Sequence, residues 1–318
     1  MGIALLAAVA GCAEPPPSGP QGSLPEATGA LAPIGSAQPG QRGGGLPYEI
    51  ADTQVFDVPD PVRGRDYQIY VSLPEGYAEH PDRRYPVVFT TDADYGFPML
   101  RLIGRRMNGA RPRIEDFILI GLSYAKGETG SQSRRRDYTP TANGHEDAPA
   151  DAVHGEALAY RDYLRDAVFP FVEARWRTDP ARRFFIGHSY GGLLGAQILL
   201  TDPGMFSGYV LGSPSLWYDG RYLLRKAPGL LAARPDIAAR VYLYIGAFEA
   251  ARKGDPRYYQ TLDMVADNAA FARMLNARGY TGLALRSDVL DDEDHHSVAP
   301  RGFTKGLLYL LPAVQSQP

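Results

Sequence analysis

Arg183-Phe184-Phe185-Ile186-Gly187-His188-Ser189-Tyr190-Gly191-Gly192 runs on into Leu193-Leu194-Gly195-Ala196-Gln197-Ile198-Leu199-Leu200. The short apolar run before the glycines reads as a buried strand. The apolar, small-residue run after them reads as a helix. Between the two sits G-x-S-x-G, from Gly187 to Gly191. In a strand-to-helix context the serine occupies a sharp turn where its neighbours must lack bulk. Gly187 and Gly191 flank that turn, and glycine accepts backbone angles that other residues resist. The expectation is a Ser189 hydroxyl lifted clear of a sheet at the positive end of a helix. The backbone N–H of Tyr190 is then available to a developing oxyanion. A glycine-rich turn that happens to hold a serine would show the same letters. The strand before it and the helix after it favour a nucleophile.

Outward from this turn, the chain alternates strands and helices. Thr53–Val58 and Tyr67–Leu73 alternate as half-buried strands, with Pro61–Gly64 as the turn between them. Tyr85–Thr91 is more uniformly apolar, as a central parallel strand should be. It ends at Asp92-Ala93-Asp94-Tyr95, read as a loop at the edge of the sheet where such folds build their sites. A second oxyanion-hole N–H is expected there, from Ala93 or Asp94. Phe117–Leu122 is the next strand, followed by a polar loop from Ser123 to Pro149 whose length suggests function. That loop carries Arg134-Arg135-Arg136-Asp137. Arg134 and Arg136 read either as a cationic rim that attracts anionic substrates or as a solvated run partly neutralised by Asp137 and Glu146.

Ala157–Trp176 reads as an amphipathic helix with a bend at Pro170. Tyr209–Ser213 is a strand that leads into Pro214-Ser215-Leu216-Trp217, where Trp217 either lines a substrate pocket or packs in the core. Arg240–Gly246 and Gly282–Ser287 are the last strands, and helices near Thr261–Arg278 and Phe303–Leu311 cover them. This alternation predicts an α/β fold with a mostly parallel central sheet flanked by helices on both faces.

A nucleophilic serine needs a base, and the base needs an orienting acid. In the α/β-hydrolase fold the order along the chain is Ser, then Asp or Glu, then His. Only His295 and His296 follow Ser189 by enough sequence to sit after a later strand. His80, His145 and His154 precede the nucleophile, and His188 lies inside its turn. Glu249 comes three residues after Gly246 and is the expected acid, with Asp255 as the fallback. Asp291-Asp292-Glu293-Asp294-His295-His296 is also legible as a metal site. The serine reading already explains its histidine, so no metal is assigned.

Composition sets limits on function. The chain has 318 residues with a formal charge of −3, which gives no sign of nucleic-acid binding. Met1–Ala10 is a short apolar run, too brief to span a bilayer, and it ends in Val9-Ala10-Gly11-Cys12, which holds the chain's one cysteine. This resembles a bacterial lipoprotein signal, although no Lys or Arg precedes the apolar run. Residues 1–11 then read as the signal and Cys12 as the lipidated residue. Residues 12–47, rich in Pro, Gly, Ala and Ser, read as a tether that reaches on the order of 30 Å. The folded domain would occupy 48–318.

The segments Arg134–Pro140, Gly187–Gly192, Ser213–Trp217, Gly246–Glu249 and His295–Pro300 together resemble one family. It is the esterase branch of the α/β-hydrolases that includes the trilactone-siderophore (enterobactin-type) esterases. The resemblance covers about Tyr48 to Pro312. It implies that His295, first in an H-x-S-V pattern, is the base, and that Glu249 is an acid on which members rely to differing degrees. One departure is Asp92-Ala93, where relatives often carry Asp-Gly. The implied activity is a serine carboxylic-ester hydrolase working through an acyl-enzyme without a cofactor. Its substrates would be siderophore trilactones or unrelated acyl or aryl esters. A tethered binding protein that keeps the fold without the chemistry is the alternative. The expected setting is the bacterial cell envelope, with a lipid-anchored monomer that faces the periplasm and meets a small-molecule ester.

Overall fold

Val87, Val88, Phe89, Ile118, Leu119, Ile120, Phe184, Phe185 and Ile186 fall in three runs of β-branched and large apolar residues with no polar break. That is the pattern of strands covered on both faces. In the computed structural model these runs are neighbours at the centre of one eight-stranded sheet. The structure describes Gly45 and residues 48–109, 111–144 and 148–313. Cys12, the signal-like segment, nearly all of the tether, His145 and Glu146 lie outside the described residues.

The strands are β1 (Thr53–Asp57), β2 (Gln68–Ser72), β3 (Tyr85–Thr90), β4 (Ile118–Leu122), β5 (Thr178–His188), β6 (Gly208–Gly212), β7 (Ala239–Gly246) and β8 (Leu283–Leu290). Their order in the sheet is β1-β2-β4-β3-β5-β6-β7-β8. β1 and β2 pair antiparallel, as do β2 and β4, and every other pairing is parallel.

The helices are α1 (Ala93–Met107), α2 (Gly130–Asp137), α3 (Ala157–Tyr163), α4 (Phe169–Arg175), α5 (Tyr190–Thr201), α6 (Tyr218–Ala232), α7 (Met264–Asn276) and α8 (Val298–Leu310). Alternate residues of each strand feed two separate cores. Val88, Leu119, Ile186 and Val210 pack with Phe97 and Leu100 of α1 and with Phe303 and Leu307 of α8. Phe89, Ile120, Phe185 and Leu211 pack on the opposite face with side chains of α3 to α7. Helix α5 is buried all round from Gly191 to Leu200. This explains why its sequence lacks a polar stripe. Residues Ile50–Pro318 form one compact unit. The expected α/β fold, with helices on both faces, is the one observed.

Local readings are corrected in four places. Asp92 to Tyr95 is not a loop, because α1 begins at Ala93 directly after a left-handed Asp92 (φ 53°). Gly96 and Pro98 are weak helix formers and masked this start. The Ser123–Pro149 segment contains α2, which Thr129 and Gln132 cap reciprocally. That helix carries three adjacent arginines and no apolar period, so periodicity had nothing to detect. The bend foreseen at Pro170 is a π-helical turn at Leu164–Val168, between α3 and α4. The missing proline N–H is accommodated by that widened turn upstream of it. Helix α6, with non-helical angles at Asp219, Gly220 and Arg221, was not anticipated.

Candidate active site

Parallel strands β3, β5, β6 and β7 end at the same edge of the sheet, so the turns that leave them converge. Three of these exits hold a non-glycine residue at positive φ: Asp92 at 53°, Ser189 at 60° and Ser213 at 39°. The strained angles therefore sit on the serine and not on its flanking glycines. The glycines are required for room. A methyl group on Gly187 would meet the backbone of Gly191, and one on Gly191 would meet Thr91 Oγ1. Ser189 is pinned by its own N–H donating to Gly212 O (2.9 Å) and by its carbonyl accepting from Ser215 N (3.2 Å). Gly187→Ala is accordingly expected to destabilise the fold by about 1–3 kcal/mol, because the backbone of the serine turn must shift to admit the methyl. Urea unfolding measures this, and a variant as stable as the parent would refute the close-approach account.

The three residues singled out for catalysis come together. Ser189 Oγ lies 3.0 Å from His295 Nε2, and His295 Nδ1 lies 2.7 Å from Glu249 Oε2. Glu249 is fully buried in a short turn after β7. Its other oxygen, Oε1, accepts from Ser213 Oγ (2.5 Å) and from Gly246 N–H (2.9 Å). Three donors thus converge on this carboxylate. The fallback acid, Asp255, instead pairs with Arg257 (2.6 Å). His296 is exposed and lies flat against Tyr259, with ring centres 6.4 Å apart and planes 9° apart.

The rest of the acidic run before His295 serves the loop. Asp294 Oδ1 accepts from His296 N and Ser297 N, and Glu293 Oε2 accepts from Ser297 Oγ. Among the described residues no three His, Cys, Asp or Glu side chains gather to hold a metal.

His188 ties this loop to the sheet. Its Nε2–H donates to the carbonyl oxygen of His295 (2.9 Å), and its Nδ1 accepts from Tyr244 Oη (3.3 Å). Burial, and then the neighbouring His295, push the His188 imidazole down to about 3, so it stays neutral beside the base.

Tyr190 and Ala93 are the first residues of α5 and α1, and N–H groups at helix starts have no intrahelical acceptor. The two turns abut, since Thr91 and Asp92 side chains border the Gly191 position. Ala93 itself is fully buried.

Two hollows open at Ser189. One, of about 370 Å³, is walled by Arg134, Arg135, Tyr190, Ser215, Trp217 and Leu262 among others. The second, of about 430 Å³, is walled by Tyr95, Met99, Tyr124, His188, His296 and Ala299. Ser189, His295 and Arg134 belong to both. Trp217 is half-buried, its ring 6.1 Å from that of Tyr190, so it stands in the wall of the first hollow.

The three arginines diverge because successive residues of a helix point in different directions. Arg134 Nε is 2.8 Å from Asp92 Oδ1 in an ion pair held by charge more than by alignment, and its guanidinium lies over the Tyr190 ring at 5.5 Å. Burial opposes the Arg134 charge, but Asp92 together with Tyr95, Tyr138 and Tyr124 outweighs it and holds the guanidinium above its ordinary pKa. Arg136 does not line either hollow, which corrects its assignment to substrate binding. It is buried beneath α2, bonded to Glu128, to Asp137 (2.8 Å) and to Tyr67 Oη (3.3 Å). Arg135 takes the place expected of Arg136: half-buried in the wall of the first hollow, with no carboxylate partner among the described residues. Sequence reading also passed over Asp92, Ser213 and Ser215 as site residues. The hydroxyl of Ser215 is 3.5 Å from Ser189 Oγ. Apart from the family resemblance, their sequence signal is a position one to three residues past a buried strand.

The family model described as Putative esterase matches residues 61–284, a span that holds Ser189 and Glu249 and stops short of His295. The ferri-bacillibactin esterase BesA of Bacillus subtilis (strain 168) is 31% identical over 188 residues, 56% of this chain. The chain spans 64% of that relative's length. The siderophore triacetylfusarinine C esterase of Aspergillus fumigatus is 27% identical over 267 residues, covering 77% of this chain and 88% of its own. Among solved structures, an IroE-like serine hydrolase from Shewanella oneidensis superposes with a TM-score of 0.71 at 25% identity, over 81% of this chain and 80% of the other. With the family model matched over 61–284, well over half of its length, this chain belongs to the Putative esterase family.

Proposed function

We propose that this protein is a serine esterase that cleaves carboxylic esters through an acyl-enzyme. The observation that carries the reading is the unbroken line from Ser189 Oγ through His295 to buried Glu249, at 3.0 and 2.7 Å. Ser189 Oγ attacks the ester carbonyl carbon as its proton passes to His295 Nε2. The oxyanion is met by Tyr190 N–H and by a donor at the start of α1, with Ala93 as the assigned one. The carbonyl–alkoxy bond then breaks, and the departing oxygen takes the proton from His295. Water, deprotonated by the same imidazole, attacks the acyl carbon and restores the Ser189 hydroxyl. Glu249 holds the imidazole in the tautomer with Nδ1–H and offsets its charge when Nε2 is protonated.

The substrates proposed are siderophore esters, on the strength of the relatives' activities. Arg135 in the first hollow, with no carboxylate partner among the described residues, suits an anionic ester. The proposal extends to the setting. Cys12 bears a lipid, residues 12–47 act as a tether, and the catalytic unit works as a monomer facing the periplasm. The support for this is the Val9-Ala10-Gly11-Cys12 pattern.

The test is incubation with a ferric trilactone siderophore and with neutral acyl and aryl esters, followed by mass spectrometry. Ring-opened siderophore, heavier by one water per cut, is the expected product. Cleavage of neutral esters only would remove the siderophore assignment and leave the esterase one. Arg135→Glu is expected to slow anionic esters about tenfold relative to neutral ones, and the gap should narrow as salt is raised.

A further inference from the structure

We infer that the second hollow, walled by Tyr95, Met99 and Tyr124, is a subsite for an uncharged aromatic or apolar group on one side of the scissile ester. The inference rests on the esterase reading and adds what that reading leaves open, namely how the two halves of the substrate are told apart.

The argument is an account of polar atoms. Tyr124 Oη donates to Asp92 Oδ1 (2.8 Å) and Tyr95 Oη donates to Asp92 Oδ2 (3.1 Å), so both phenols have spent their hydroxyls on one buried carboxylate. What remains of each for a ligand is ring carbon and an oxygen with no proton left to donate. Both nitrogens of His188 are engaged, and the ring is neutral. His296 at the rim lies against Tyr259. Arg134, on the partition between the hollows, has its charge balanced by Asp92. No Asp, Glu or Lys is among the described residues that line this space. Met99 adds a flexible thioether that adapts to flat rings.

The first hollow differs in kind, because Arg135 there has no carboxylate partner among the described residues. A ligand group that carries a charge or many hydrogen-bond donors would lose its water in the second hollow for few free polar partners in return. An apolar ring would lose nothing. Ser189 sits where the two hollows meet, so an ester with unlike halves spans the nucleophile in one orientation.

The experiment uses the full chain and three probes: 2-naphthyl acetate, methyl 2-naphthoate and methyl acetate. Met99→Trp fills the hollow. It is expected to lower the kcat/KM ratio of one naphthyl ester to methyl acetate at least tenfold. Which ester responds tells whether the alcohol or the acyl half sits there. Binding of 2-naphthol, followed by fluorescence in the Ser189→Ala background, is read in parallel and needs no turnover. It should weaken about tenfold with Met99→Trp.

Ratios within twofold of the parent for both naphthyl esters, together with unchanged 2-naphthol affinity, would overturn the subsite. If the parent cleaves no ester at all, the esterase reading falls while the 2-naphthol titration still decides the subsite. Should Met99→Trp fail to fold, Tyr95→Ala at the exposed rim removes a ring face and should weaken 2-naphthol about fivefold. Unchanged affinity in that variant would overturn the proposal equally.

Discussion

Ser189→Ala is expected to remove ester turnover by about 10⁴-fold or more while leaving the fold intact. Under the proposed mechanism the Ser189 hydroxyl, held at 3.0 Å by His295, forms the bond to the acyl carbon, and alanine lacks it. The loss should be strongly non-additive. His295→Ala alone should cost nearly as much, and the double variant little more, because serine and imidazole act as one unit. Since Ser189 sits at φ 60°, where any Cβ-bearing residue pays the same backbone cost, alanine adds no new strain there. A fluorophosphonate should add to the parent and leave this variant unlabelled by mass spectrometry. Turnover at the parental rate, or labelling at another residue, would mean that the nucleophile has been misassigned.

Glu249→Gln should lower kcat by about 10²- to 10⁴-fold with a smaller change in KM. Glu249 receives three donors: His295 Nδ1–H, Ser213 Oγ–H and Gly246 N–H. A carboxylate accepts them all. A carboxamide brings one acceptor oxygen and an NH₂ that must face one of those donors. Turned with its oxygen toward Ser213 and Gly246, it presents N–H to His295 Nδ1. That selects the tautomer with the proton on Nε2, which cannot take the proton of Ser189. A loss under tenfold would show that Ser189 and His295 work as a pair, with Glu249 serving chiefly to fill its buried niche. Steady-state kinetics with a p-nitrophenyl ester, alongside thermal unfolding to confirm folding, separates the two outcomes.

How far the sequence could be read depended on the kind of signal. Central strands such as Tyr85–Thr90 and Ile118–Leu122 were visible because burial on both faces leaves unbroken apolar runs. Helix α2 was not visible: Arg134, Arg135 and Arg136 carry no apolar period, and what fixes them is a local cap plus contacts to distant residues. For the same reason Arg136 was assigned to the cleft although it is locked under the helix with Glu128 and Asp137. The partner chosen by each arginine is a tertiary fact. Asp92 likewise carries no motif of its own. It becomes a hub only because Tyr95, Tyr124 and Arg134 are folded around it.

The chain order of serine, acid and histidine, and the glycines around Ser189, were set by local chemistry. A sharp strand-to-helix turn leaves no room for side chains at Gly187 and Gly191, so it writes itself into the sequence. Only the folded sheet decided that His295, 106 positions from Ser189, meets it at 3.0 Å. It also decided that two hollows open beside them, with Arg134 in the wall of both and Arg135 in the wall of one. Parallel strands deliver remote turns to a common edge, and which side chains then face each other depends on register and packing that no local pattern records.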